Sequence, residues 1–406
     1  MSTPRSCAAQ ALALVIGARL TLDEALAQSL GNLEGRDRAM TREMAFGVCR
    51  RFFELDGVLA QLLRKAFKSR DADVHALLLI GLYQMRYMRV PDHAAVGETV
   101  AACRQLGKPW AGGLTNAVLR QFQLRGDELL RNLDAAQRCA HPHWLFEALQ
   151  QAWPQQHAAI IEANNEAPPM SLRVNRSRTT REAWMDSARA AGLECRAGLL
   201  APDALMLERA VDVSALPGFA DGLISVQDEA AQLPADLLDW RAPQRVLDAC
   251  AAPGGKSCHL LERNAGLELV TLDSSAARLE RVRQNLQRLQ LRAEVVCADA
   301  TAPASWWDGR HFERILVDAP CSGSGVVRRH PDIKMLRTPQ QIVEASVLQR
   351  RILAALWPCL APGGILLYCT CSVLPAENEQ VVATFLGSTP DARELPIDAP
   401  WGIARS

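Results

Sequence analysis

The chain has 406 residues, of which 49% are hydrophobic and 5% aromatic, and its formal net charge is +0. This length predicts two or three domains, the neutral charge excludes a polycation, and the few aromatic residues argue against an RNA-binding surface built mainly on stacking. Lys and Arg outnumber Asp and Glu before about residue 140, and the reverse holds after it. This asymmetry is typical of a nucleic-acid-binding domain beside a catalytic body, although solvated helix faces would also produce it.

The 12 cysteines include no C-x-x-C pair and no cysteine–histidine cluster with zinc spacing, so we expect no metal site. No apolar run reaches the roughly 18 residues that a membrane span needs. The apolar stretch at residues 7–17 is interrupted by Gln10 and is followed by no clean cleavage site, so it predicts an amphipathic helix. Unpaired cysteines without a secretory signal predict a cytoplasmic location and no membrane partner.

Apolar residues at helical spacing dominate residues 1–138. Thr21 with Glu24 three residues later forms a capping-box pattern. The predicted helices of this bundle are 8–18, 21–28, 37–60, 74–86, 94–106 and 114–120.

Prolines punctuate residues 139–238, where we predict a small α+β connector. Its expected elements are strands at 171–174 and 204–207, with a helix at 181–191 between them.

Short apolar runs alternate with helical segments over residues 239–406, which predicts a parallel sheet covered on both faces. Ligands of such sheets bind at the carboxyl ends of the strands. The predicted strands are 245–249, 268–273, 294–297, 314–317 and 364–370. The predicted helices are 256–263, one ending near 289, and 340–357.

A glycine-containing loop, residues 248–257 (DACAAPGGKS), follows the first of these strands. Adjacent glycines let backbone N–H groups approach a ligand, and the next helix directs its positive end to the same place. A phosphate-binding loop would need glycine where Cys250 stands, and no G-x-G-x-x-G motif is present. The loop therefore suits a nucleoside ligand without phosphates.

Four aspartates, Asp248, Asp273, Asp299 and Asp318, lie at successive strand ends around this loop. Asp273 is at the distance where a carboxylate reaches ribose hydroxyls, and Asp299 could meet an adenine edge. Any one of them alone could be a helix cap or turn residue. The set of carboxylates suits a cationic nucleoside cofactor, and we predict S-adenosylmethionine.

Two cysteines follow strand ends, Cys321 in Pro-Cys-Ser and Cys371 in Thr-Cys-Ser. A thiolate that adds to C6 of a pyrimidine makes C5 nucleophilic enough to accept a methyl group, which is covalent catalysis. Neighbouring positive charge would have to lower the thiol pKa, and Lys256, Arg328 or Arg329 could supply it. Cysteine is otherwise a small buried hydrophobe, an interpretation that we apply to Cys7, Cys49, Cys103, Cys139, Cys195, Cys258, Cys297, Cys359 and Cys369.

Seven segments together resemble the signatures of RNA 5-methylcytosine methyltransferases that carry a NusB-like helical domain. They are 227–232 (QDEAAQ), 248–256 (DACAAPGGK), 318–325 (DAPCSGSG), 328–334 (RRHPDIK), 370–372 (TCS), 42–50 (REMAFGVCR) and 113–121 (GLTNAVLRQ). The resemblance covers nearly the whole chain. It implies an all-α NusB-like N-terminal bundle, a small α+β connector similar to an RRM, and a C-terminal α/β Rossmann-like class I methyltransferase domain.

The resemblance implies that Cys371 is the nucleophile and that Cys321 assists product release. The implied cofactor-binding residues are Cys250, Ala251, Ala252, Pro253, Gly254, Gly255, Lys256, Asp273, Asp299 and Asp318. Lys256 and Asp318 are also implied to act at the cytosine. The implied reaction is methylation at C5 of one cytosine in 16S rRNA by a monomeric enzyme. We expect the cytosine to lie in a loop, where unstacking costs less, and the bundle and connector to hold the flanking RNA.

Relatives of this kind usually end with a further strand and a DGFF-like signature, whereas residues 401–406 are WGIARS. We therefore expect the sheet to lack an edge strand. Three alternatives remain open: the same chemistry on tRNA or another rRNA site, a nicotinamide-dependent oxidoreductase, and a non-catalytic RNA-binding factor. The missing dinucleotide motif argues against the oxidoreductase.

Overall fold

The computed structural model describes residues 3–31, 33–239, 244–399 and 401–403. It forms two compact units, the first comprising Met1–Ala167 with Ser322–Gln341 and the second Pro168–Cys321 with Ile342–Ser406. The domain boundaries at 138 and 238 stay predictions, and the end of the chain at 404–406 lies outside the described residues. Over the described ranges, no helix combines the length and the apolar character that crossing a membrane requires.

Helices make up the first unit, and the sequence predicted those before residue 132 but missed those between residues 132 and 167. They are α1 Pro4–Ile16, α2 Leu22–Ser29, α3 Gly35–Leu62, α4 Ala72–Tyr87, α5 Asp92–Gln105, α6 Ala111–Arg131, α7 Ala135–Arg138, α8 His143–Ala152 and α9 His157–Asn164. The capping box is present, since the Thr21 N–H donates to the Glu24 carboxylate at 3.0 Å and the Thr21 hydroxyl oxygen accepts from the Glu24 N–H. Helix α6 runs about three turns beyond its predicted end near residue 120.

Helix α4 is the centre of this bundle. Every residue from Ala76 to Gln84 along it is buried, and a helix that is apolar on all faces must be enclosed by others. Its one fully buried polar side chain, Gln84, accepts a hydrogen bond from the Arg5 guanidinium at 3.0 Å and donates to the Ile80 carbonyl at 3.2 Å. The buried Gln84 amide therefore has hydrogen-bond partners for both its oxygen and its NH₂ group.

Residues 322–341 belong to the first unit although they follow Cys321 directly in the chain. Lys334 is 1% exposed and donates to the carbonyls of Arg50 and Ala140 and to the Asn165 side-chain oxygen, at 2.6, 2.7 and 2.9 Å. Burial lowers the pKa of Lys334 well below its usual value. Lys334, in the signature at 328–334, is therefore a buried amine whose hydrogen bonds tie residues 322–341 to the helices of the first unit.

The second unit begins with the connector. Its elements are β1 Met170–Val174, α10 Arg181–Ala190, β2 Cys195–Ala197, β3 Ala204–Leu207, β4 Ile224–Val226 and α11 Pro234–Leu237. The strands form an antiparallel sheet in the order β2-β3-β1-β4. The sequence predicted β1 and β3 but missed β2 and β4, because three residues are too few to establish an alternating pattern.

The rest of this unit is the predicted parallel sheet. Its elements are β5 Arg245–Ala249, α12 Gly255–Arg263, β6 Glu268–Asp273, α13 Ala276–Leu289, β7 Glu294–Cys297, β8 Phe312–Asp318, α15 Pro339–Leu356, β9 Leu360–Cys369 and α16 Glu379–Ser388. The short helix α14, Ile333–Leu336, lies within residues 322–341 of the first unit. The order is β7-β6-β5-β8-β9, with every pairing parallel. Cys297, which we expected to be buried, is exposed because it ends the edge strand β7.

A buried ion pair joins the two sheets of this unit. Arg173 on β1 and Glu262 on α12 are 1% and 2% exposed, and the guanidinium makes two hydrogen bonds to the carboxylate at 2.8 and 2.9 Å. The same guanidinium donates to the Gly255 carbonyl at 2.8 Å. The connector thereby contacts the first residue of the helix that follows the glycine loop.

The Arg173→Met variant should lose about 3–5 kcal/mol of unfolding free energy, because it leaves the Glu262 carboxylate buried without its partner. Chemical denaturation followed by circular dichroism measures this loss. Arg189→Met is the matched control, since Arg189 pairs with Asp186 at 2.7 Å but both side chains are more than 70% exposed, and it should change stability by less than about 1 kcal/mol. Equal losses in the two variants would contradict a structural role for the buried pair.

Candidate active site

The glycine loop leaves the centre of the parallel sheet, because β5 lies between β6 and β8 and is buried along its length. Cys250 and Gly254 both have positive φ, +60° and +95°. A Cβ atom at Gly254 would lie 3.2 Å from Val282 Cγ1 and 3.3 Å from its Cα. Glycine is therefore required here both by the backbone conformation and by the close approach of α13.

Asp273, at the end of β6, holds this loop from within. Its carboxylate accepts from the Ala252 N–H at 3.1 Å and the Ser275 N–H at 2.9 Å, and it is 3% exposed. Two side chains of α13 also form hydrogen bonds to the loop. Arg278 donates to the Ala252 carbonyl, and Asn285 donates to the Pro253 carbonyl at 3.1 Å. The loop conformation is thus fixed by neighbouring elements.

Asp248 is fully buried beneath the loop. One carboxylate oxygen accepts from the Ser257 hydroxyl at 2.5 Å, and the other, Oδ1, has no hydrogen-bond partner within the described part of the chain. Burial raises the pKa of Asp248 to about 7, and the nearby carboxylates of Asp318 and Asp273 add to the rise. The site therefore contains an acid that exchanges its proton near neutral pH.

Lys256 links the loop to the end of the neighbouring strand. Its ammonium lies 2.6 Å from the Asp318 carboxylate. Burial lowers the pKa of Lys256, but the charge and hydrogen bond of Asp318, together with the Cys369 and Asp248 groups, raise it overall. Asp318 pairs in register with Cys369 across β8 and β9, and the Cys369 thiol donates to its carboxylate at 3.7 Å.

The two predicted catalytic cysteines meet just beyond these strand ends. The Cys321 and Cys371 sulfur atoms are 3.3 Å apart, and Cys371 is exposed. The thiol hydrogen bond from Cys321 and the positive charge of Lys256 lower the pKa of Cys371, against the opposing effects of burial and Asp318.

The other thiols of the crevice behave differently. Burial raises the pKa of Cys250 to about 12, with further rises from Asp273 and Asp248, and burial with the charge of Asp318 raises that of Cys369. Compared with Cys250 and Cys369, Cys371 has a lowered pKa, and the thiolate is the form that attacks.

The structure brings most of the predicted site residues together at one edge of the sheet. The loop residues, Asp273, Lys256 and Asp318 are joined by the contacts above, and the cysteine pair adjoins Asp318 through β9. Asp299 lies two residues past β7, is exposed, and accepts from the Thr301 N–H at 2.8 Å. Hydrogen bonds from Thr301 lower the pKa of Asp299, so it has the turn contact that the sequence left open.

The crevice fits the predicted S-adenosylmethionine. Three carboxyl groups face one ammonium and the Arg278 guanidinium, which lies 3.7 Å from Asp273, so the strand ends keep a small excess of acid that suits the positive sulfonium. The Asp248 oxygen that has no hydrogen-bond partner among the described residues suits a polar ligand. The residues that would hold it are those of the loop, with Asp273 and Asp299 toward the nucleoside.

Sequence reasoning missed several residues that shape the site. Arg278 and Asn285 are seven residues apart, hence on one helix face, and that spacing could have signalled a shared target. Ser257, Glu377 and Asn378 are single polar residues without a recognisable pattern. Their partners are set by tertiary contacts, so the sequence carried no usable signal for them.

Comparison with known families divides the chain in three. Residues 2–124 match the NusB family, residues 141–214 match a ferredoxin-like domain of RsmF/B-like methyltransferases, and residues 235–403 match the family described as 16S rRNA methyltransferase RsmB/F. The α+β connector predicted from the sequence is therefore confirmed.

Curated relatives and solved structures are also similar to this chain. Ribosomal RNA small subunit methyltransferase B of Pseudomonas putida is 54% identical over 98% of this chain and 92% of its own length. The namesake from Vibrio cholerae is 47% identical over 97% and 91%. The crystal structure of PH0851 shares the fold, with a TM-score of 0.83, 21% identity, and coverage of 100% and 94%. A methyltransferase homologue from Pyrococcus horikoshii gives a TM-score of 0.55 at 29% identity over 62% and 80%.

The geometry of the loop, the acidic strand ends and the similarity over nearly the full length lead to one conclusion. This chain belongs to the RsmB/F family of S-adenosylmethionine-dependent 16S rRNA methyltransferases.

Proposed function

We propose that this protein methylates C5 of a cytosine in 16S rRNA through a covalent bond between Cys371 and C6 of the base. The observation that carries the proposal is the pair of sulfur atoms 3.3 Å apart at adjoining strand ends, with one thiol pKa lowered. The names of the relatives from Pseudomonas putida and Vibrio cholerae support the substrate. The NusB match supports RNA binding by the first unit, and we place the enzyme in the cytoplasm as a monomer.

The first half of the reaction needs a thiolate. Carbon C5 of cytosine is a weak nucleophile, so the electron pair of Cys371 Sγ forms a bond to C6, and the displaced ring electrons make C5 enamine-like. When bound, S-adenosylmethionine would supply the methyl group that C5 accepts, and its methyl–sulfur bond would break to leave neutral S-adenosylhomocysteine. Cys321 donates its thiol hydrogen bond to the Cys371 thiolate before the attack, which stabilises the charge where it is needed.

The second half must remove the C5 proton. Once Cys371 is bonded to carbon its sulfur is neutral, so Cys321 no longer has an anion to which it donates, and it can lose its own proton to solvent. As a thiolate it can accept the proton from C5. The C5–H electrons then restore the C5–C6 double bond, the S–C6 bond breaks, and Cys371 leaves as a thiolate.

Lys256 and Asp318 complete the assignment. Their ion pair lies beside Cys369, two residues before the nucleophile. The Lys256 charge stabilises the Cys371 thiolate. The Lys256 ammonium can also donate a hydrogen bond to the polar edge of cytosine, and the neighbouring Asp318 carboxylate can accept one. These roles complement the cofactor-binding role of the neighbouring loop.

Bisulfite sequencing of 16S rRNA tests the function directly. A strain lacking the gene should lose one protected cytosine, the wild-type gene should restore it, and Cys371→Ala should not. Protection in tRNA alone would identify a different substrate. Restoration by Cys371→Ala would favour a non-catalytic RNA-binding factor, since that role does not need the thiol.

Replacing Cys321 should separate the two halves of the reaction. With Cys321→Ala, methyl transfer can occur but elimination is impaired, so enzyme joined covalently to RNA should accumulate as a slow band on a denaturing gel that nuclease removes. Cys371→Ala and the double variant should give no such band. A band in the double variant would assign the bond to another residue.

The thiol pair also predicts a pH dependence. The hydrogen bond from Cys321 is the largest cause of the lowered pKa of Cys371. Cys321→Ala should therefore raise this pKa, and the alkylation of Cys371 by iodoacetamide should require a higher pH than in the wild type. Peptide-level mass spectrometry at several pH values measures this shift. The exposed Cys297 is the internal control and should be unaffected. An unshifted Cys371 profile would remove Cys321 as the stabilising group.

A further inference from the structure

The turn that carries Cys371 lies outside regular secondary structure, after the end of β9 at Cys369 and before α16. The side chain of Asn378 spans this turn. Its oxygen accepts from the Thr370 hydroxyl at 2.7 Å, and its NH₂ group donates to the carbonyls of Ser372 and Leu374, both at 3.0 Å. One carboxamide therefore holds both neighbours of Cys371.

A second set of bonds closes around the first. The Thr370 hydroxyl accepts from the Ser372 N–H at 3.1 Å, and the Ser372 hydroxyl accepts from the Leu374 N–H at 3.1 Å. The same Ser372 hydroxyl donates to the carboxylate of Glu377, which is 0% exposed, at 2.6 Å. The Tyr368 hydroxyl donates to the Glu377 carbonyl at 2.7 Å. We call Thr370, Ser372, Glu377 and Asn378 the clamp.

The bonds of the clamp leave the Cys371 sulfur available and act on the backbone that carries it. An exposed thiol on an unrestrained turn would sample many positions, whereas attack on C6 requires the sulfur near 3–3.5 Å from the carbon and correctly aligned. If the turn is ordered before RNA binds, the entropic cost of fixing the position of the sulfur is not part of the reaction step. A displacement of about 1 Å can lower a rate about 100-fold.

We propose that Asn378 and Thr370 are positioning residues that hold the nucleophile turn in its attacking geometry. This inference rests on the proposed role of Cys371. The clamp acts through Cys371 and is separate from the loop that holds the cofactor, so its loss should slow the chemical step and leave cofactor binding intact.

Matched variants of the full-length enzyme test the clamp. Thr370→Val keeps the shape but deletes the hydroxyl, Thr370→Ser restores a hydroxyl, and Asn378→Asp keeps the size but replaces the NH₂ donor. Thr384→Val is the control, because its hydroxyl donates only to the Gln380 carbonyl on the exposed face of α16 at 2.7 Å. Steady-state methylation of 16S rRNA and S-adenosylmethionine binding by calorimetry are measured for each.

We expect Thr370→Val and Asn378→Asp to lower kcat about 100-fold with an unchanged dissociation constant for S-adenosylmethionine. Thr370→Ser should recover most of the rate, and Thr384→Val should match the wild type. Wild-type rates in the clamp variants would overturn the inference, as would loss of cofactor binding in parallel with activity, which marks a merely structural role. If Cys371→Ala stayed active in the same assay, the proposed nucleophile would fail instead.

Discussion

The parallel pairing of β8 with β9 is the constraint on which the site depends. Register places Asp318 opposite Cys369, so the chain segments that leave these two strands begin side by side. Cys321 follows three residues after one end and Cys371 two residues after the other, and their sulfur atoms meet although 50 residues separate them in sequence. A slip of register by one residue would turn side chains to the opposite face and separate the strand ends. The proposed nucleophile, its thiol partner and the Lys256–Asp318 ion pair all depend on this pairing.

Electrostatics then distinguish among thiols in a small space. Burial makes the thiolate unfavourable at Cys250 and Cys369, and the carboxylates at the strand ends add to the effect. Cys371 differs because the hydrogen bond with Cys321 and the charge of Lys256 lower its pKa, against the opposing effects of burial and Asp318. The same excess of acid suits a cationic methyl donor. One arrangement of charge therefore serves both reactants, favouring the sulfonium beside the loop and a single thiolate at the next strand end.

The sequence predicted the features that follow from local pattern: the helical bundle, the parallel strands, the glycine loop and the two strand-end cysteines. It could not predict what depends on long-range packing. Lys334 looks like an ordinary charged residue until three acceptors from distant segments surround it, and Asn378 gains its role only because the turn before α16 folds back on it. The strands β2 and β4 were not predicted, because three residues are too few to show a periodic pattern. Residues Arg278 and Asn285 show an intermediate case, since their spacing predicts a shared face but does not identify what that face contacts.

A mechanism-based trap can reveal the proposed bond between Cys371 and C6 of cytosine. RNA that carries 5-fluorocytosine at the target position has no C5 proton to lose, so the bond to C6 should persist after methyl transfer. We predict a nuclease-resistant nucleotide adduct on the peptide that contains Cys371, formed only when S-adenosylmethionine is present and located by tandem mass spectrometry. An adduct on Cys321 or Cys250, or rapid methylation without any adduct, would contradict it.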